Sequence, residues 1–136
     1  MALSRTHEPQ DFKTFRCWHE ARALTKEIYQ ITAGFPAVEQ FGLTSQLRRA
    51  ALSIIGNIAE GARKLTVRDF SRFLNIAEGS TAEIGAYLLV AGDLDYLTEA
   101  QVADYTLRFE RLLSMIYHLR LKVEGRSIPG AGRSPA

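Results

Sequence analysis

The side chains that most readily carry out chemistry are few and widely spaced in this chain. The histidines are His7, His19 and His118, and the single cysteine is Cys17. No Glu-x-x-His pair occurs, although a di-iron site in a four-helix bundle takes two of them. The cysteine and histidines also lack zinc-site spacing, and there is no glycine-rich phosphate loop. The sequence therefore predicts no metal, no cofactor and no catalytic residues.

One pair keeps an enzymatic alternative open. Arg111 and His118 are seven residues apart, so they share one face of a helix. This spacing on a helical bundle resembles the HEPN ribonucleases, in which such a pair acts on the RNA phosphodiester. That family usually has a polar residue after the arginine, where this chain has Leu112. The competing interpretation places both side chains on a solvated face with Asp104 and Lys122, and we retain the ribonuclease only as a minor alternative.

Charge is segregated along the chain, although the net charge is only +2. Residues 44–75 carry six basic and two acidic side chains, whereas residues 76–107 carry six acidic side chains and no basic one. Such segregation can make a basic surface on a nearly neutral protein. It can equally bring subunits together, or reflect nothing more than solvated helix faces.

Basic residues cluster around one predicted turn, between the second and third helices. Phosphate contacts from such a cluster would bind nucleic acid without reading its sequence. We expect no aromatic side chain to accompany these cations, so base stacking is not predicted. The candidate nucleic-acid-binding residues are Arg63, Lys64, Arg68 and Arg72 at the turn and Arg49 on the second helix.

Polar residues on the second helix form a separate group. Arg49, Asn57 and Glu60 fall on one polar arc with Gln46 and Ser53. They form either a hydrogen-bond network inside the bundle or a set of contacts to a ligand.

Arg48 is different because it lies in the apolar arc of the second helix, where a charge needs a partner. An arginine there can donate to a carboxylate while its stem packs on apolar neighbours. We predict that Glu78 or Glu83 is that carboxylate, within one subunit or across an interface. The predicted structural network thus comprises Arg48, Asn57, Glu60, Glu78 and Glu83.

The elements that position these residues are four amphipathic helices, because apolar residues recur at helical spacing and no strand pattern occurs. With short connections they predict an all-α, up-down-up-down antiparallel four-helix bundle over residues 14–125. A short arm (1–13) precedes it, and a glycine- and proline-rich tail (126–136) is predicted to be disordered.

Local signals set the expected helix ends. Helix one is expected to start after Thr14 and to end near Gly34, and helix two to span residues 44–63. Thr66 is a predicted N-cap for helix three, which is expected to reach Asp95. Thr98 to Gln101 is a capping box for helix four, which should end at Gly125. Three glycines inside helix three are expected to permit close helix approach, at positions 79, 85 and 92.

The N-terminus has no apolar signal-peptide core, and no apolar run is long enough to cross a membrane. Together with the lone cysteine, this predicts a cytoplasmic protein. Helix two carries two apolar stripes and helix three an additional column, more than one bundle core needs. Left exposed, this surplus would exceed the apolar patches usual for monomers, so we expect a homo-oligomer with helices two and three at its interface.

Several short motifs occur together in residues 18–97. They are FP at 35–36, FGL at 41–43, QLRRAALSI at 46–54, NIAEG at 57–61, FL at 73–74 and IAEGS at 76–80. In combination they resemble the four-helix-bundle proteins of the 23S rRNA intervening-sequence family, and the accessory protein of diversity-generating retroelements is similar. The chain departs from the family at Ile55 and Gly56, where a proline-containing pair is typical. The resemblance implies no known catalysis, a ring of five subunits, and binding to nucleic acid and to a reverse transcriptase or another protein. A dimer is the second choice for the assembly.

Overall fold

The computed structural model describes residues 5–126 and confirms the predicted four-helix bundle. The helices are α1 (Arg16–Thr32), α2 (Leu43–Ala62), α3 (Val67–Asp93) and α4 (Glu99–Glu124). Successive helices run antiparallel, with α2 packed against α3, α3 against α4, and α1 mainly against α2. Short 3-10 turns precede α1 and lie in the α1–α2 connection, at Phe12–Thr14 and Ala37–Glu39. The predicted tail from residue 127 onward lies outside the described residues.

The core follows the helical spacing of the sequence. In α3, the two heptad columns that begin at Phe70 and Leu74 are buried. They belong to one core with the buried stripe of α2, which comprises Leu47, Ala50, Ala51, Ile54 and Ile58. Such columns give nearly aligned helix packing. None of the helices within residues 5–126 combines the length and apolar character that a membrane span requires.

The capping signals predicted most helix ends correctly. Thr66 and Thr98 accept the N–H groups of Asp69 and Gln101, and the latter pair forms the complete capping box. Gly125 ends α4 in the left-handed conformation, at φ 72°. Helix α3 is shorter than predicted, because Asp95 itself adopts φ 61° and closes the helix end. The N–H groups of Asp95 and Tyr96 bond the Gly92 and Ala91 carbonyls at 3.0 and 2.9 Å.

The prediction about glycines holds at one of its three positions. A Cβ at Gly92 would lie 2.8 Å from Val102 Cγ2, so this glycine brings α3 close to α4. Gly79 and Gly85 have no such neighbour within 4 Å, and their close approach was wrongly predicted. The sequence analysis missed Gly61, where a Cβ would lie 2.9 Å from Phe73 Cβ. That close approach joins the end of α2 to the first turns of α3.

The N-terminal arm is fixed to the α2–α3 turn from Arg5 onward. The His7 N–H bonds the Leu65 carbonyl at 2.6 Å, and the Arg5 carbonyl accepts the Val67 N–H at 3.0 Å. The His7 ring lies 4.7 Å from that of Phe70, centroid to centroid. The arm thereby stabilises the connection that carries the basic cluster.

Candidate nucleic-acid interface

Four predicted basic residues lie together at one end of the bundle, which we call the cationic end: Arg63, Lys64, Arg68 and Arg72. They project from the last turn of α2, the connection and the first turns of α3. Gly61 allows these two helix ends to approach closely, and the arm braces the loop between them. The four basic residues are therefore held by a tightly packed junction of α2, α3 and the N-terminal arm.

The positive charge of the cationic end is largely uncompensated. Arg63, Arg68 and Arg72 are exposed, and among residues 5–126 none of them forms an ion pair. Lys64 lies 3.8 Å from the Glu60 carboxylate, an i,i+4 surface pair that contributes little. Three arginines therefore remain available to an anionic partner.

An aromatic ring does accompany these cations, contrary to the sequence-based expectation. The Lys64 Nζ lies 4.9 Å and the Arg72 guanidinium 5.0 Å from the Phe73 ring centroid. Both cations pack against the half-buried Phe73 ring, which positions them and which they cover. The adjacency of Arg72 and Phe73 in the chain was the available signal for this arrangement.

Arg49 is separated from the other candidates. It lies 14 residues before Arg63 on α2, roughly 20 Å along the helix axis. Its Nη2 contacts Glu83 Oε2 at 2.5 Å, and its Nε donates to Gln46. The Tyr87 hydroxyl, at 2.7 Å, and then Arg49 lower the pKa of the Glu83 carboxyl. Arg49 is thus partly neutralised within the bundle.

The predicted polar network forms for Asn57 but not for Glu60. The Asn57 amide donates to the Ser53 carbonyl at 2.7 Å and to the Ser53 hydroxyl at 3.0 Å. That hydroxyl is 2.7 Å from the Ser80 hydroxyl, which links α2 to α3. Glu60 is exposed and pairs with Lys64 instead. Asn57 therefore has a structural role.

Arg48 does not pair with either predicted carboxylate. Its Nε donates to Thr32 Oγ1 at 2.9 Å, its Nη2 to the Tyr29 carbonyl at 3.3 Å, and its guanidinium lies 4.6 Å from the Tyr29 ring centroid. Glu78 instead forms an ion pair with Arg120, and Glu83 forms one with Arg49. The guanidinium is thus satisfied by α1 while its positive charge is retained.

Two ion-pair networks that tie α4 to the bundle were not predicted. Arg120 binds both Glu78 on α3 and Glu124, whose carboxylate also accepts from Ser71. Glu124 is only 6% exposed, and this burial by itself would raise the pKa of its carboxyl. Hydrogen bonds from Ser71, Arg126 and Arg120 have the larger combined effect, so the pKa is lowered. Only the i,i+4 spacing of Arg120 and Glu124 signalled this network in the sequence.

The second network joins α4 to α1. Arg108 makes a bidentate contact with Glu27, and the Tyr105 hydroxyl donates to the same carboxylate at 3.2 Å. Hydrogen bonding from Arg108 is the main reason that the pKa of Glu27 is lowered.

The residues with catalytic potential lie on α1 and α4. Arg111 and His118 are both exposed on α4, and the His118 ring lies 5.8 Å from that of Tyr117, centroid to centroid. Burial raises the pKa of the Cys17 thiol to about 11, which leaves it a poor nucleophile at neutral pH. Across residues 5–126, no three His, Cys, Asp or Glu side chains are placed to hold a metal ion.

The fold and the cationic end define an all-α four-helix bundle with an exposed basic surface. The chain belongs to the 23S rRNA-intervening sequence protein family, whose model matches residues 13–118. It is similar to the crystal structure of a protein of unknown function from the S23 ribosomal protein family of Bacteroides thetaiotaomicron. That likeness has a TM-score of 0.69 and 20% identity over 76% of this chain and 97% of the other. Comparison with curated proteins gives no match.

Proposed function

We propose that this protein is a non-enzymatic, homo-oligomeric scaffold in the cytoplasm that binds RNA or DNA through its cationic end. The observation that carries the proposal is the set of three exposed arginines, Arg63, Arg68 and Arg72, which have no carboxylate partner among the residues that the structure describes. Family membership, with a family name that refers to 23S rRNA, supports a setting near nucleic acid.

The chemistry of the cationic end favours phosphate over base recognition. Phe73 is covered by Lys64 and Arg72, so its ring is not free to stack on a base. Arginine side chains on a rigid helix junction can bind phosphates bidentately. Binding is then independent of sequence, and several copies in an oligomer multiply the field.

Fluorescence anisotropy with labelled RNA and DNA at low salt tests this function. The triple variant Arg63→Ala, Arg68→Ala, Arg72→Ala should lose at least tenfold in affinity, since each removed phosphate contact weakens binding. The control removes the same charge from exposed cations away from that end, at Arg22, Lys26 and Arg111, and should retain most of the affinity. Equal losses in both triple variants would contradict a localised interface.

Protein binding is the rival use of the cationic end. Its supporting observation is Leu65, which is 68% exposed at the tip of the α2–α3 turn. A protein partner, such as a reverse transcriptase, could contact an apolar residue that phosphates would leave bare. Pull-down before and after nuclease treatment distinguishes the two: a partner retained after digestion supports the rival function, and a partner lost with the nucleic acid supports ours.

A further inference from the structure

An apolar groove with an acidic rim lies between α3 and α4, at the end of the bundle opposite the cationic end. We call it the acidic groove. It encloses about 600 Å³, and its lining includes Leu89, Leu97, Val102 and Leu107. Leu89 is 56% exposed, although it lies on the groove wall. The close approach at Gly92 places Val102 against α3 and so shapes the groove.

Four carboxylates surround the acidic groove: Asp93, Asp95, Glu99 and Glu110. None of them forms an ion pair in the part of the chain that the structure describes. Apolar walls combined with uncompensated negative charge favour an occupant that is both apolar and cationic.

The chain carries a surface with these two properties on the α1–α2 side, which we call the cationic edge. Its apolar members are Tyr29, Phe41 and Leu52, and its main cation is Arg48, with Arg49 beside it already paired with Glu83. Phe41 is 88% exposed in the α1–α2 connection. Arg48 retains its positive charge, because it bonds a hydroxyl and a carbonyl rather than a carboxylate.

The cationic edge and the acidic groove lie at the same level on opposite sides of the bundle. The α1–α2 and α3–α4 connections meet at one end, where the Tyr96 ring lies 5.3 Å from that of Phe35 and its hydroxyl bonds Glu39 at 2.9 Å. The packing of α2 on α3 and of α1 on α4 places the two edges on opposite sides. Subunits side by side in the same orientation would therefore bring one edge to the other.

We propose that the acidic groove is the docking site for the cationic edge of a second copy of this chain. Phe41 of one copy enters between the groove walls at Leu89 and Leu107, and the arginines face the carboxylate rim. The contact is heterologous, so each subunit keeps one free surface of each kind and assembly continues until a ring closes. This inference rests on the self-association proposed above and specifies the surfaces that produce it.

Two variants, each removing one half of the contact, test the proposal by light scattering. Leu89→Lys places a cation in the acidic groove, and Phe41→Asp removes the apolar anchor of the cationic edge. The wild type is expected to assemble, and each variant alone to be a monomer near the chain mass of 15.2 kDa. An equimolar mixture should give particles of two chains, because one intact groove and one intact edge remain.

Ile76→Lys is the matched control, since Ile76 is an exposed apolar residue on α3 outside both surfaces. It should assemble like the wild type. A monomeric wild type, a mixture that remains monomeric, or dissociation by Ile76→Lys but not by Leu89→Lys would overturn the contact. Nucleic-acid binding by monomeric Leu89→Lys is measured separately, so failure of the docking contact leaves the cationic end as a distinct question.

Discussion

The two ends of the bundle use charge in different ways. At the cationic end, Arg63, Arg68 and Arg72 are exposed and pair with no carboxylate of the described chain, whereas Arg120 on α4 is paired with Glu78 and Glu124. At the other end, Glu27 and Glu83 are paired with arginines inside the chain, while the carboxylates around the acidic groove form no ion pair within residues 5–126. In each region, partly buried pairs hold the helices together and a surplus of one sign is left for partners. In our proposals the positive surplus serves nucleic acid and the negative surplus serves a second subunit.

The largest expected loss of stability comes from Arg120→Ala, beneath the cationic end. Its removal leaves Glu78 and the buried Glu124 without their shared cation, which should lower the free energy of unfolding by about 3 kcal/mol. Arg108→Ala is the corresponding change near the other end, where both partners are 28% exposed, and should cost about 1 kcal/mol. Urea denaturation of both variants checks the comparison, and equal losses would show that burial does not distinguish the two networks.

Gly61→Ala should have the next largest effect. The new methyl group would meet Phe73 Cβ, so α2 and α3 must separate, at a cost of about 2 kcal/mol. Gly79→Ala, with open space around it, should instead stabilise the protein by up to about 1 kcal/mol through helix propensity. Thermal melts of the two variants measure the opposite signs; a shift of the same sign would contradict the packing at Gly61.

Arg48→Ala measures the contribution of an arginine that bonds a hydroxyl and a carbonyl, for comparison with Arg120, which bonds carboxylates. The variant loses a hydrogen bond to Thr32 and the contact with the Tyr29 ring, but it leaves no carboxylate unpaired. We expect a loss of about 1–2 kcal/mol, with a lower melting temperature and weaker assembly. A loss as large as that of Arg120→Ala would indicate that Arg48 meets a carboxylate in the assembled protein.

Lowering the pH should remove the stability that a paired carboxylate contributes, and this effect should be smaller than those of the substitutions above. The pKa of Glu27 is lowered from its ordinary value of 4.5, mainly by hydrogen bonding from Arg108. Its contribution to stability is therefore present above that value and is lost as the pH falls through the lower folded-state pKa. Glu27→Gln should be less stable than the wild type at neutral pH, and the difference should shrink as the pH falls below 4.5. A difference in melting temperature between Glu27→Gln and the wild type that does not change with pH would contradict the pairing of Glu27 with Arg108.

Local sequence signals predicted the backbone well. Thr66, Thr98 and Gly125 cap helices where their residue types indicate, because these effects act within a few residues. The end of α3 was misplaced because Asp95 adopts the left-handed conformation that glycine usually supplies. Its short polar side chain tolerates that conformation, but the residue type alone does not require it.

The partners of long charged side chains were harder to predict. Arg48 reaches back to α1, and Glu78 pairs with Arg120 at a separation of 42 residues. Several carboxylates lie within reach of each arginine on neighbouring helices, so the rotation of each helix decides the pairing. The cationic end was predictable because its four cations lie close together in the chain. The acidic groove was not, since it requires two helices brought together at Gly92.

The salt dependence of nucleic-acid affinity tests the central claim most directly. Anisotropy titrations of wild type with RNA and DNA, from about 50 to 200 mM salt, should give a linear fall of log affinity with log salt concentration. Removing Arg63, Arg68 and Arg72 should reduce the slope by about one for each arginine that contacts a phosphate. No binding at the lowest salt concentration, or a slope unchanged in the triple variant, would contradict a nucleic-acid interface at the cationic end.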